Sequence, residues 1–172
     1  VAPGDAEATA RNLSASPGLF RAGILADVVV ILAEIVVTAL LFVILKPVNS
    51  VLSLVAAMAR YGMIMVMTVN LMLNIAAFMI SRGALDGSPQ TMLALFTMHA
   101  QGVYLWGILF GLHLLVLGTL VFRSGYLPRA LGAMMVAGSF GYTIEGIARV
   151  TGTEIAALNL LIIALLAVVT AG

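Results

Sequence analysis

Two histidines in one long apolar segment are the residues whose type and spacing point most directly to chemistry. His99 and His113 are fourteen residues apart, so a helix places them roughly 40° apart around its axis and about 21 Å apart along it. One helix with this spacing can offer an axial ligand to each of two stacked haems, which makes haem or another pigment a candidate cofactor. Two bis-histidine haems need four imidazoles, and the chain has two histidines, so the other ligands would come from a symmetric dimer, another subunit or methionine. The alternative, which we prefer, is that each neutral imidazole hydrogen-bonds a neighbouring helix.

Ionisable side chains also occur inside the apolar segments. Asp27 and Glu34 are seven residues apart, so a helix places them within about 20° of one face. They predict either a proton or cation pathway or structural hydrogen bonding, because an ionised carboxylate in hydrocarbon costs about 2.5 kcal/mol or more unless it is paired. Arg60, in the next apolar segment, is the candidate partner, and we prefer structural pairing.

Two further polar pairs have helical spacing. Asn70 and Asn74 are one turn apart, so their amides share a face and can hydrogen-bond another helix. Glu145 and Arg149 have the i, i+4 order that favours an ion pair within the helix. We interpret the first pair as packing and the second as an interfacial anchor, with substrate binding as the alternative.

Small residues predict close approach between helices. Gly107, Gly111 and Gly118 lie on the segment that carries both histidines, and such spacing lets another helix pack against the backbone. We expect replacement of Gly107 and Gly111 by Leu to disrupt assembly of the protein with itself or with other membrane subunits. The sequence contains no close-spaced metal-ligand signature, catalytic triad or phosphate-binding loop, so we predict neither a metal site nor catalytic residues.

The composition explains where these groups must lie. Of the 172 residues, 63% are hydrophobic and 9% are charged, whereas about 25% of the residues of soluble domains are charged. The mean hydropathy is +1.19. This excludes a soluble globular protein and predicts an integral membrane protein surrounded by the lipid bilayer. A net charge of +1 provides no basic patch for nucleic acid, and the absence of cysteine excludes disulfides and thiolate chemistry.

The apolar segments predict an all-α membrane bundle that forms one domain over residues 1–172. A short surface helix within residues 3–17, beginning at Gly4 or Asp5, precedes about five transmembrane helices. Ser16-Pro17 predicts the start of the first span, and Lys46-Pro47 predicts its end. The predicted spans cover residues 19–45, 51–80, 91–122, 130–150 and 155–169.

Charge in the turns gives an orientation. With alternating sides, Lys and Arg residues divide four to four, which leaves the positive-inside rule undecided. The turns at Lys46 and at Arg123 to Arg129 contain no acids, so we place them in the cytoplasm. The Val1 end is then outside and the C-terminus cytoplasmic. Because the chain begins with Val1 and a polar stretch rather than with Met, we expect a fragment or a processed form.

Six segments spread over most of the chain carry a family resemblance. They are Pro3–Leu13, Gly18–Asp27, Lys46–Asn49, His99–Gly102, Phe110–His113 and Phe122–Gly132. In these segments the chain resembles bacterial multipass membrane proteins catalogued as domain of unknown function 4386. The resemblance implies an all-helical membrane protein with a further hydrophobic span before Val1, and it implies no activity for any residue. The region after Arg149 resembles the family less than the rest of the chain does.

Three functional hypotheses follow. The first is a non-enzymatic membrane protein that packs with itself or with other membrane subunits, as a structural or accessory component. The second is an electron-transfer component that binds haem or a pigment through His99 and His113. The third is a small proton-coupled transporter or channel that uses Asp27 and Glu34.

Overall fold

A computed structural model describes Ala2 and residues 4–153 of the chain. This part is helical and contains no strand, which confirms the predicted all-α class. Five helices follow one another along it: α1 (Ala6–Ala15), α2 (Pro17–Leu45), α3 (Ser50–Ser81), α4 (Pro89–Ser124) and α5 (Arg129–Thr151).

The helix ends follow from local chemistry. The Asp5 carboxylate accepts a hydrogen bond from the Ala8 amide at 2.8 Å and caps α1, as expected for an acceptor at this position. Helix α2 begins at Pro17, whose missing amide proton costs nothing in a first turn. The Asn49 side chain caps α3 through the Leu52 amide at 2.9 Å. Helix α5 ends at Gly152, whose φ of +67° is left-handed and therefore favours glycine.

Three helices in the described part are long and apolar enough to cross a membrane. They are α2, α3 and α4, with 29, 32 and 36 residues, and at 1.5 Å per residue even the shortest exceeds the roughly 30 Å hydrocarbon layer. They correspond to the first three predicted spans. Helix α5 covers the fourth predicted span but is less apolar than the other three. The fifth predicted span, 155–169, lies outside the described residues.

The chain divides into two compact units, and the division falls within α2, α3 and α4. The first unit contains residues Val1–Ala33 and Val66–Val103. Its core joins α1 to α3 and α4, because Leu13 packs with Ala77, Met92 and Phe96. The predicted surface helix is therefore anchored by a side chain that is only 7% exposed.

The second unit contains Glu34–Met65 and the chain from Tyr104 onward. Its core cluster brings together the end of α2, the start of α3 and the end of α4, through Leu45, Ala56, Leu117, Leu120 and Val121. The Tyr126 hydroxyl donates to the Ile44 carbonyl at 2.7 Å. This bond holds the turn between α4 and α5 beside the end of α2.

Glycines join α4 to α5 in the second unit. A Cβ on Gly111 would lie 2.8 Å from the Ser139 carbonyl, and a Cβ on Gly118 would lie 2.8 Å from the Gly132 carbonyl. Both distances are too short for a real contact, so the two backbones need glycine there. The helix that packs against Gly111 and Gly118 is thus α5 of the same chain. Gly107 does not approach α5 as closely, since a Cβ built on it would lie 3.9 Å from the Tyr142 carbonyl oxygen, an ordinary contact distance.

We predict that Gly111→Ala destabilises the protein and that Gly107→Ala does not. The new methyl group at position 111 meets backbone atoms of α5 that cannot move cheaply, which costs about 1–3 kcal/mol. At position 107 the methyl group has room and alanine favours the helix, so stability stays equal or rises slightly. Thermal unfolding of both variants in the same detergent measures the difference. Equal midpoints for the two variants would contradict the close approach of α4 and α5.

Candidate functional site

A partly buried polar chain crosses three helices of the second unit. Arg60 of α3 lies beside Glu34 of α2, with its Nη2 atom 2.8 Å from Oε2 of Glu34. The two side chains are 14% and 30% exposed. Oε2 nevertheless has no aligned hydrogen bond, so the contact is a close charge pair. It offsets part of the cost of placing both charges among apolar helices.

His113 of α4 extends this chain. Its Nε2 lies 3.2 Å from Nη1 of Arg60, and its Nδ1 lies 2.9 Å from the Ala56 carbonyl oxygen. Arginine can only donate and a carbonyl can only accept, so we assign the proton to Nδ1 and the lone pair to Nε2. Helices α2, α3 and α4 are thus connected by the groups Glu34, Arg60, His113 and Ala56.

This arrangement does not fit haem ligation by His113. An axial ligand needs a ring nitrogen with a free lone pair, and both nitrogens of His113 already have partners. The imidazole is also only 2% exposed, and the ring of Phe110 stacks on it at a centroid distance of 6.4 Å. The geometry instead fits the hydrogen-bonding interpretation.

His99 lies in the first unit and is bonded differently. Its Nδ1 is 3.2 Å from the Asn70 carbonyl, while the Asn70 amide donates to the His99 carbonyl at 2.9 Å. These reciprocal bonds join α3 to α4. A Cβ on Gly102 would overlap the Asn70 amide, so glycine makes room for it. Asn70 and His99 therefore each hydrogen-bond the backbone of the neighbouring helix.

Asp27 and Asn74 come together in the first unit, at a cavity of about 520 Å³ that both residues line. Asn74 therefore has different surroundings from Asn70, although the two amides are one turn apart. Glu34 and Asp27 also differ: Glu34 pairs with Arg60 in one unit, and Asp27 lines a cavity in the other. Sequence reasoning missed this cavity. The available signal was Gly23, one turn before Asp27, where a missing side chain leaves room.

The predicted ion pair between Glu145 and Arg149 is not formed in the described structure. The Arg149 guanidinium lies instead over the Tyr104 ring, 5.7 Å from its centroid. A cation–π contact with a neighbouring helix replaces the expected contact within α5. Among the described residues, no group of three or more His, Cys, Asp or Glu side chains could hold a metal ion.

Comparison with known proteins identifies the family of this chain. The model of the family described as Domain of unknown function (DUF4386) matches residues 1–172, and the chain belongs to that family. A protein of Archaeoglobus fulgidus, named "Uncharacterized protein", is 31% identical over 102 residues, which are 59% of this chain and 63% of the relative. The matched region thus spans less than two thirds of that relative. No solved structure matches the chain.

We predict that Arg60→Leu destabilises the protein more than the double variant Glu34→Leu/Arg60→Leu. The single change leaves the Glu34 carboxylate unpaired and costs about 3 kcal/mol, the lower end of the range for buried pairs because Glu34 is partly exposed. The double change removes both charges and recovers part of this loss. Denaturation in detergent measures both values, with Arg82→Leu in an exposed turn as the control. An Arg60→Leu protein as stable as the Arg82→Leu protein would contradict a stabilising role.

Proposed function

We propose that this member of the domain of unknown function (DUF4386) family is a non-enzymatic, multi-pass protein of the cell membrane. In this proposal it acts by packing, as a structural or accessory subunit of a larger membrane complex or of a homo-oligomer. The observation that carries the proposal is the chain Glu34–Arg60–His113, in which ionisable groups contact one another across three helices. Groups that are engaged in holding helices together are not free for proton transfer or ligation.

Helix α2 has more surface free for contact with another helix than α3 or α4 has. In the most apolar stretch of α2, 11% of the residues are buried, compared with 33% in the corresponding stretch of α3 and 44% in that of α4. Val36, Leu40 and Val43 are 58%, 55% and 66% exposed, and their spacing places them on one face. We assign this face to contact with another membrane helix.

The other hypotheses have less support. Electron transfer through His99 and His113 requires a free ring nitrogen at His113, and both are bonded. Transport along one face with Asp27 and Glu34 requires an available carboxylate at Glu34, which is paired with Arg60. The single membrane domain remains a prediction as well.

Leu40→Trp tests the association face. We expect this bulky substitution to weaken association about tenfold, because packed helix interfaces do not tolerate a large change of shape. Leu54→Trp on α3 is the matched control, since Leu54 is 51% exposed and undergoes the same change. The readout is native mass spectrometry of the protein purified from its own membrane in mild detergent, with an inventory of accompanying subunits. A solitary wild-type protein, or equal association of both variants, would overturn the proposal.

Orientation is tested separately. The chain has no cysteine, so single cysteines can be introduced without a background. We expect Asp86→Cys, in the turn between α3 and α4, to react with an impermeant maleimide on intact cells. Asn49→Cys, after α2, should react only after permeabilisation, because we place its turn in the cytoplasm. The opposite labelling pattern would reverse the orientation.

A further inference from the structure

The cavity of the first unit combines apolar side chains with one carboxylate and four neutral polar residues, which are Thr9, Asn12, Ser16 and Asn74. It lies where α1 meets the beginning of α2, and Asn74 of α3 and Phe96 of α4 complete it. Its volume of about 520 Å³ is in the range of small-molecule sites. Leu13, Leu19 and Phe20 line it together with Asp27. An apolar cavity with few polar groups is the usual form of a ligand site.

Packing contacts hold part of the cavity wall in place. Phe20 stacks on Phe78 at a centroid distance of 5.3 Å and meets Phe96 edge-on at 6.0 Å. Leu13 is buried in the core cluster of the same unit, which fixes α1 over the cavity. Packed side chains therefore form part of the wall, whereas Leu19, which is 77% exposed, lies on an open side of the cavity.

Asp27 and Asn74 are the polar residues of the cavity on which the inference rests. Asp27 forms no ion pair or hydrogen bond within the described residues. The cation closest to it along the chain, Arg21, lies over the Phe78 ring at 5.6 Å instead. The Oδ1 atom of Asn74 is buried without a hydrogen-bond partner, and the amide can turn about its last torsion, which is broad in asparagine. Both groups can accept hydrogen bonds from a ligand.

We propose that this cavity binds a primary ammonium group attached to an apolar body, with Asp27 as its counterion and Asn74 as a second acceptor. A carboxylate in apolar surroundings is stabilised by a cation that also donates hydrogen bonds. The apolar walls receive the body of the ligand. The ammonium group can belong to a lipid headgroup or to a free amphiphilic amine.

Other ligand classes fit the cavity less well. An anion would meet the Asp27 carboxylate, and no Lys or Arg among the described residues lines the cavity to offset the repulsion. A divalent metal ion prefers several oxygen ligands, whereas Asp27 is the one carboxylate that the described part of the chain contributes to the lining. A quaternary ammonium has no N–H group to donate to Asn74. These differences define the probes.

Octylamine tests the proposal on the purified protein in a non-ionic detergent, with ligand-detected NMR as the readout. We expect octylamine to bind, and octanoate, octanol and octyltrimethylammonium to bind about tenfold more weakly or not at all. Asp27→Asn should weaken octylamine binding about tenfold or more. Asp86→Asn is the control, because it removes the same charge from an exposed turn outside the cavity.

A second variant blocks the space without touching the carboxylate. Gly23 lines the cavity, and a Cβ there meets nothing within 4 Å, so Gly23→Leu fills the cavity and should abolish octylamine binding. Gly18→Leu is the control, since position 18 is equally open but lies outside the lining. Equal binding by octylamine and octanol would overturn the proposal. So would octylamine binding that is unchanged by both Asp27→Asn and Gly23→Leu.

The source of the ammonium group is tested with lipid. The protein is incubated in nanodiscs of phosphatidylethanolamine or phosphatidylcholine and analysed by native mass spectrometry. Retention of phosphatidylethanolamine by wild type but not by Gly23→Leu identifies a lipid headgroup. Octylamine binding without such retention identifies a free amine. The absence of both would overturn the proposal, and none of these results depends on association through α2.

Discussion

The cost of a charge among apolar helices is the constraint on which this structure depends. Arg60 lies within a helix that is long and apolar enough to cross a membrane, where an unpaired cation would be strongly unfavourable. It is stabilised by contact with Glu34 on one side and with His113 on the other. Because the three side chains have limited lengths, their contact restricts how α2, α3 and α4 can shift along their axes relative to one another. A polar chain of this kind therefore specifies which residues of the helices face each other, in addition to what it contributes to stability.

Backbone proximity supplies the second way of joining helices. Apolar side chains gain little by leaving lipid for another apolar surface, so helix association in a membrane depends on close packing and on polar contacts. Helices α4 and α5 use close packing, with Gly111 against Ser139 and Gly118 against Gly132. Helices α2, α3 and α4 use polar contacts. The two methods occur within one unit and make different demands on the sequence, since one requires missing side chains and the other requires matched donors and acceptors.

Features set by neighbouring residues could be predicted from the sequence, and features set by packing could not. The start of α2 at Pro17 and the end of α5 before Gly152 follow from the backbone properties of proline and glycine. The partner of Arg149 does not, because Tyr104 comes close only through the packing of α4 and α5. The i, i+4 spacing to Glu145 suggested an ion pair within the helix. Such pairs are weak, so a neighbouring aromatic ring could replace this one.

The same distinction separates the two carboxylates of α2. Glu34 and Asp27 are seven residues apart and looked equivalent by spacing, yet packing gives Glu34 an arginine and leaves Asp27 at a cavity. A charge with an internal partner is satisfied by the fold itself. A charge without one must be protonated, hydrated or neutralised from outside, and apolar walls disfavour hydration. Asp27 lies among such walls, and Arg21 is engaged with Phe78. The described part of the fold therefore supplies no partner for this carboxylate.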